Sequence, residues 1–295
     1  MAGPHATRAE IERSQFEQLL RLLDALRDNP FYRAKLRADA ALFAPTSLAD
    51  FTARFPFTTK SELVADQAEH PPYGSNLTYP LERYTRCHGT SGSTGKPLRW
   101  LDTNESWAWM LGNWEVVHRT AGTTAADKIF FAFSFGPFLG FWTAFESALR
   151  LGCLCLPGGG MNTVARLRSI IDHGATVLCC TPTYALHLAE TAEKEGIDLA
   201  AAKIRTICVA GEPGGSVPAV RERISALWTR LWAEQVPGSD PARAAYLLGP
   251  VAQLAAAATY QRFLDHIEVT ERVYHALDPA DRLRAAVAAD GSPAV

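Results

Sequence analysis
The sequence predicts an α/β fold: a mostly parallel sheet with helices on both faces. Three observations carry that prediction. Short runs at 129–133, 153–156, 176–180 and 206–210 are apolar along almost their whole length. Segments of helical length containing 141–151, 164–171 and 184–192 separate them, and a further helical pattern covers 217–232. Strands that are apolar at every position are buried on both faces, and strand–helix alternation supplies the covering helices.

Taken in order, the chain opens with Ile11, Phe16, Leu19, Leu20, Leu22, Leu23 and Leu26 at roughly helical spacing, and Asn29-Pro30 marks the stop. A second helical stretch is expected over 31–42. The turn-rich segment Phe55-Pro56-Phe57-Thr58-Thr59-Lys60 follows, with Thr59 or Ser61 placed to cap a helix through Glu62 and Leu63. Residues 84–87 and 98–101 read as short strands flanking the loop 88–97, and Asn104 is expected to cap the helix that runs through Trp107, Trp109, Leu111 and Trp114. Past Trp232 the character changes. Pro237-Gly238-Ser239-Asp240-Pro241 reads as a linker, and 242–248, 251–263, 267–277 and 280–289 show helical periodicity only. The expected organisation is therefore a domain over 1–232 and a helical tail over 233–295.

Composition narrows the function classes. With 47% hydrophobic and 20% charged residues in 295, the chain is globular. Its 29 basic and 31 acidic residues leave a formal charge of −2, which gives no long-range field for nucleic acid or an anionic membrane. Any anion must be held locally. The N-terminus has no basic segment followed by an apolar one, so a cytoplasmic location is expected. The uncharged run 129–145 is broken by Gly136-Pro137 and is shorter than the ~20 residues a membrane span needs. Cys87, Cys153, Cys155, Cys179, Cys180 and Cys208 show no CxxC spacing and lie mostly in apolar runs, which predicts buried thiols and no metal site. His88 has no second ligand at usable spacing, and His118, His173 and His187 are expected on helices as surface or half-buried residues.

The loop Thr90-Ser91-Gly92-Ser93-Thr94-Gly95-Lys96 combines backbone N–H groups free to approach closely, four hydroxyls and one ammonium. That is the donor set of an oxyanion site; the same composition also serves a plain surface turn. It is not a P-loop, because Thr90 stands where the first Gly is needed and Pro97 follows Lys96. Nor is it a dinucleotide fingerprint, since Gly89, Gly92 and Gly95 are spaced by three.

The loop resembles the Ser/Thr/Gly-rich phosphate loop of the adenylate-forming superfamily, and its context resembles the phenylacetate–CoA ligase branch. The resemblance rests on Asn29-Pro30-Phe31-Tyr32-Arg33, the segment from Phe55 to Lys60, Cys179-Cys180-Thr181-Pro182-Thr183-Tyr184-Ala185-Leu186, and Ala210-Gly211-Glu212-Pro213, in that order. It extends from about Ile11 to Trp232. It implies an ATP-dependent acyl- or aryl-CoA ligase that uses ATP, Mg2+ and coenzyme A on a small, aromatic carboxylic acid. On that reading Thr90, Ser91, Gly92, Ser93, Thr94, Gly95 and Lys96 hold the β- and γ-phosphates, with Lys96 as a clamp and not a nucleophile. Ala210, Gly211, Glu212 and Pro213 border the adenine. Phe135, Phe138 and Tyr184 line the acyl pocket, although aromatic runs also serve as core.

After Trp232 a family member continues into Tyr-Gly-x-Ser/Thr-Glu, whereas this sequence runs Ala233-Glu234-Gln235-Val236-Pro237-Gly238. Val269-Thr270-Glu271 lacks the Tyr-Gly and lies within a helical pattern, so it is not that motif. Three readings remain at this level: a ligase by descent that is incomplete in this chain, a non-catalytic nucleotide- or acyl-binding protein whose tail forms a homo-oligomer or partner interface, and a truncated or fused product.

Overall fold
The structure is a computed structural model and describes residues 7–37, 39–90, 97–212, 214–215 and 217–233. The predicted helices of the tail therefore lie outside the described residues. Those described fall into two compact units, one ending at Asn104 and the other beginning at Glu105.

In the first unit, helix α1 spans Arg8–Leu26. Thr7 and Glu10 close a capping box at its start, each satisfying a backbone N–H that the helix leaves open. Its apolar face, Leu19, Leu23 and Leu26, packs on Tyr32, Leu36, Phe43 and Phe55. The next helix is shorter than expected. Helix α2 covers only Pro30–Lys35, Arg37 takes a left-handed φ of 50°, and a separate 3-10 turn follows at Ala40–Phe43. Asp39 starts that turn by accepting from the Ala41 N–H, a local bond that competes with continued helix.

Helices α3 (Leu48–Arg54) and α4 (Lys60–Glu69) come next. The cap of α4 is Thr59, paired with Glu62, and not Ser61. Strands β1 (Tyr84–Gly89) and β2 (Arg99–Thr103) form an antiparallel pair. Asn104 is the first residue of helix α5 (Asn104–Thr120) rather than its cap, and its Oδ1 accepts from the Thr85 hydroxyl at 2.9 Å.

The second unit holds the sheet. Strand β3 (Lys128–Phe131), helix α6 (Leu139–Arg150), strand β4 (Leu154–Pro157) and helix α7 (Thr163–Asp172) are followed by strand β5 (Val177–Cys180) and helix α8 (Pro182–Glu195). Strand β6 (Thr206–Val209) and helix α9 (Pro218–Ala233) complete the series. All pairings are parallel and the strand order is β4-β3-β5-β6.

Alternate residues of each strand feed opposite cores. Phe130, Leu178 and Ile207 pack with Leu167 and Ile170 of α7, Ala185 and Leu188 of α8, and Ile224 and Trp228 of α9. Ile129, Phe131, Val177 and Cys179 pack on the other side with Ala144 and Ala148 of α6, and Trp114 of α5 joins them. Two buried faces explain why these strands read as unbroken apolar runs.

Two expectations need correction. His118 is fully buried, not surface or half-buried: its Nε2 lies 3.1 Å from the Ala144 carbonyl, and burial pushes its pKa below the ordinary value. It belongs to the face of α5 that packs with α6. Cys87 is exposed, because a strand of an isolated two-stranded pair has a solvent face; the other five thiols are buried or half-buried as expected. Burial lifts the Cys155 pKa to about 12, so it is an inert thiol.

Below the amino ends of the strands, Asp127 ties the sheet together. Its carboxylate accepts from the Thr124 N–H at 2.8 Å, the Thr176 hydroxyl at 2.7 Å and Arg205 Nη2 at 2.5 Å. Burial alone raises a carboxyl pKa, but these donors outweigh it and hold Asp127 below its ordinary value. The stabilisation is therefore present above the unfolded carboxyl pKa and is lost as pH falls through the lowered folded one. Asp127→Asn is expected to cost about 1–3 kcal/mol at pH 7. In urea unfolding, the variant and the wild type should converge below pH 4; an undiminished gap there contradicts the assignment.

Candidate functional site
Reversal of strand order locates the crevice in the second unit. From β3 the chain moves outward to β4 through α6 on one face. From β5 it moves the opposite way to β6 through α8 on the other face. The connections therefore part between β3 and β5, and ligands of open α/β sheets bind at that point, outside the carboxyl ends of the strands. Here those ends carry Ala132-Phe133-Ser134-Phe135 after β3, Thr181-Pro182-Thr183-Tyr184 after β5, and Ala210-Gly211-Glu212 after β6.

The β5 and β6 ends are stapled to each other. The Ala210 N–H donates to the Cys180 carbonyl at 3.2 Å. Gly211 has φ of 94°, a left-handed conformation that favours glycine, while a Cβ there would meet Thr181 at 3.5 Å and the Phe141 ring at 3.7 Å, ordinary contact distances. The Glu212 carboxylate then accepts from the Thr183 hydroxyl at 2.5 Å and the Thr183 N–H at 2.8 Å. This places a negative charge at the N-terminus of α8, where Thr181 is the cap. The Thr183 hydroxyl above all, with its N–H and Thr181, keeps the Glu212 pKa below the ordinary carboxylate value against the effect of burial.

At the end of β3 the rings form a cluster. Phe133 stacks on Phe141 at 4.3 Å, and Phe135 meets Phe133 at 5.2 Å, Trp142 at 4.8 Å and Phe145 at 5.3 Å. Phe138 stands at the start of α6 with 38% of its surface exposed and an edge on Phe141 at 6.0 Å. Phe135 is thus mainly a packing residue with one side toward solvent, whereas Phe138 has a free face. The Tyr184 hydroxyl lies 3.1 Å from the Thr163 hydroxyl, and the Arg166 guanidinium sits 4.9 Å from the centre of its ring.

Sequence reasoning missed Arg166, Thr181 and Thr183. Thr181 caps α8 locally by accepting from the Tyr184 N–H, and Thr183 matters through Glu212, a partner 29 residues downstream that no local pattern reveals. Arg166 did leave a signal: it falls on the apolar stripe with Thr163, Leu167 and Ile170, where a charge is out of place.

In the first unit, Thr90 fastens the mouth of the loop. Its N–H donates to the Leu98 carbonyl and its hydroxyl accepts from the Leu98 N–H, both at 3.0 Å. The candidates Ser91, Gly92, Ser93, Thr94, Gly95, Lys96 and Pro213 lie outside the described residues. His88 is buried with Nδ1 4.0 Å from Asp102 Oδ2. Among the described residues no group of three or more His, Cys, Asp or Glu side chains is placed to hold a metal.

Comparison with known proteins agrees with this geometry. Phenylacetate-coenzyme A ligase of Pseudomonas putida is 32% identical over 208 residues, covering 69% of this chain and 45% of the relative. The Escherichia coli K12 enzyme of the same name is 31% identical over 212 residues, covering 69% and 46%. Among solved structures, 2-hydroxyisobutyryl-CoA ligase in complex with 2-HIB-AMP and CoA superimposes with a TM-score of 0.70 at 28% identity, covering 75% of this chain and 48% of that one. The chain belongs to the adenylate-forming superfamily.

The chain spans about half the length of the relatives it matches. No family model matches it. The parallel sheet of the second unit matches the N-terminal domain of the superfamily. Among the described residues, no helix is long and apolar enough to cross a membrane.

Proposed function
We propose that the protein works as an ATP-dependent acyl-CoA ligase on a small carboxylic acid with an apolar or aromatic body. A carboxylate oxygen attacks the α-phosphorus of ATP, giving acyl-AMP and releasing pyrophosphate. The coenzyme A thiol then attacks the acyl carbon, giving the thioester, AMP and a proton. The observation that carries this reading is the crevice between β3 and β5, bordered by the Phe133, Phe135 and Phe141 cluster and by the Glu212–Thr183 staple, in a chain related to ligases of this chemistry.

In this reading Thr90 to Lys96 hold the β- and γ-phosphates and stabilise the charge that collects on departing pyrophosphate. Ala210, Gly211, Glu212 and Pro213 lie along the nucleotide base, and Phe135, Phe138 and Tyr184 meet the acyl group. Magnesium would accompany the triphosphate and offset part of its charge. Residues 1–232 form the nucleotide- and acid-binding part, and 233–295 a helical tail that serves as a contact between copies.

A second reading is favoured by one observation: Ala233-Glu234-Gln235-Val236 stands where the family carries Tyr-Gly-x-Ser/Thr-Glu. It holds that the chain binds nucleotide and acid without turning them over. Pyrophosphate release from ATP, with phenylacetate and other aryl acids in magnesium buffer, separates the two. The ligase reading expects acid-dependent release and a thioester once coenzyme A is added. Measurable ATP binding without release supports the second reading and overturns the first.

A further inference from the structure
We propose that Arg166 recognises the carboxylate of the acid substrate in the crevice between β3 and β5. The inference deepens the ligase reading and rests on it. Arg166 is only 7% exposed, and a guanidinium cannot shed its charge in a protein. Buried charges are ordinarily paired. Arg205, Arg150 and Arg223 of the same unit are far more exposed, and each pairs with a carboxylate, Asp127, Glu115 and Glu190 respectively. Arg166, by contrast, is buried. Among the described residues no carboxylate pairs with it; Nε donates to the Gly158 carbonyl at 2.9 Å, Nη1 donates to the Ala132 carbonyl at 3.1 Å, and the Tyr184 ring lies beneath the group.

These neutral partners fix the guanidinium without neutralising it, and they place it well. Ala132 follows the last residue of β3, Gly158 follows β4, and Tyr184 stands in the first turn after β5. The approach of Gly158 is part of the arrangement, since a Cβ there would lie 2.7 Å from the Phe131 carbonyl and 2.8 Å from the Phe130 ring. A guanidinium has five N–H donors, and two are accounted for, leaving a fork suited to a planar carboxylate. Phe133, the residue after Ala132, opens the aromatic cluster that suits the body of the same acid.

The test is equilibrium binding to the full chain of phenylacetate, of its neutral isostere phenylacetamide, and of ATP. Wild type is expected to prefer phenylacetate over phenylacetamide. Arg166→Gln should weaken phenylacetate by about 10- to 100-fold, the range of a charge-assisted hydrogen bond, and leave phenylacetamide and ATP unchanged. Arg166→Lys should restore part of the preference. In case Arg166→Gln does not fold, 15N-arginine spectra of wild type give the same answer: the Arg166 Nε resonance should move with phenylacetate and not with phenylacetamide.

Equal weakening of all three ligands would make Arg166 structural and overturn the inference. A loss confined to ATP would assign it to a phosphate and also overturn it. Phenylacetate and ATP binding that ignores Arg166 sinks this inference alone, whereas a wild type that binds neither sinks the ligase reading with it.

Discussion
Lys96→Ala is expected to lower acid-dependent pyrophosphate release by about 10²–10³. Lys96 is the one ammonium in a loop otherwise built of hydroxyls and backbone N–H groups. Its proposed work is on charge that accumulates at the leaving pyrophosphate, so the loss should fall on turnover more than on affinity for the acid. Steady-state assay of pyrophosphate at saturating acid checks this. A variant that retains full turnover removes the loop from the mechanism. Thr90 is a poorer choice for the same experiment, because it also closes the loop mouth on Leu98, and its removal would confound phosphate contact with loop geometry.

Phe130→Ala should be the most damaging single change to the sheet. Phe130 is fully buried on the face covered by α7, α8 and α9, and its ring packs so close to Gly158 that a Cβ there would lie 2.8 Å from it. Truncation of a buried Phe costs about 3–5 kcal/mol. For a unit of this size that is a fall in Tm of roughly 10 °C, at 2–4 °C per kcal/mol. Phe138→Ala, at an exposed ring, should change stability by less than about 0.5 kcal/mol. Calorimetric melting of the two variants side by side tests the assignment of core and rim; equal losses would contradict it.

The strands and helices of the second unit were legible because two buried faces leave a plain mark: β5 is apolar at each of its four positions and buried at each. The start of α4 was legible because a side chain caps it, at Thr59. The α2 break was hidden, since nothing in the composition of 31–42 announces that Arg37 adopts a left-handed conformation. His118 was misread for a related reason. Helical spacing shows that it belongs to a helix, but not that α6 lies against that face.

The site divided along the same line. Glycine- and proline-rich turns at strand ends could be found from sequence, because positive φ demands particular residues, as Gly211 demonstrates. What the turns hold could not. The Glu212–Thr183 contact joins β6 to α8, and the Arg166 contacts join α7 to the ends of β3 and β4, which are relations between elements that only their packing creates.

Calorimetric titration of the full chain with ATP, with and without magnesium, tests the central claim most directly. A saturable one-to-one isotherm that Lys96→Ala weakens is the predicted result. A folded wild type that gives no heat of binding under either condition would contradict it, and with it the proposal that this chain activates acids.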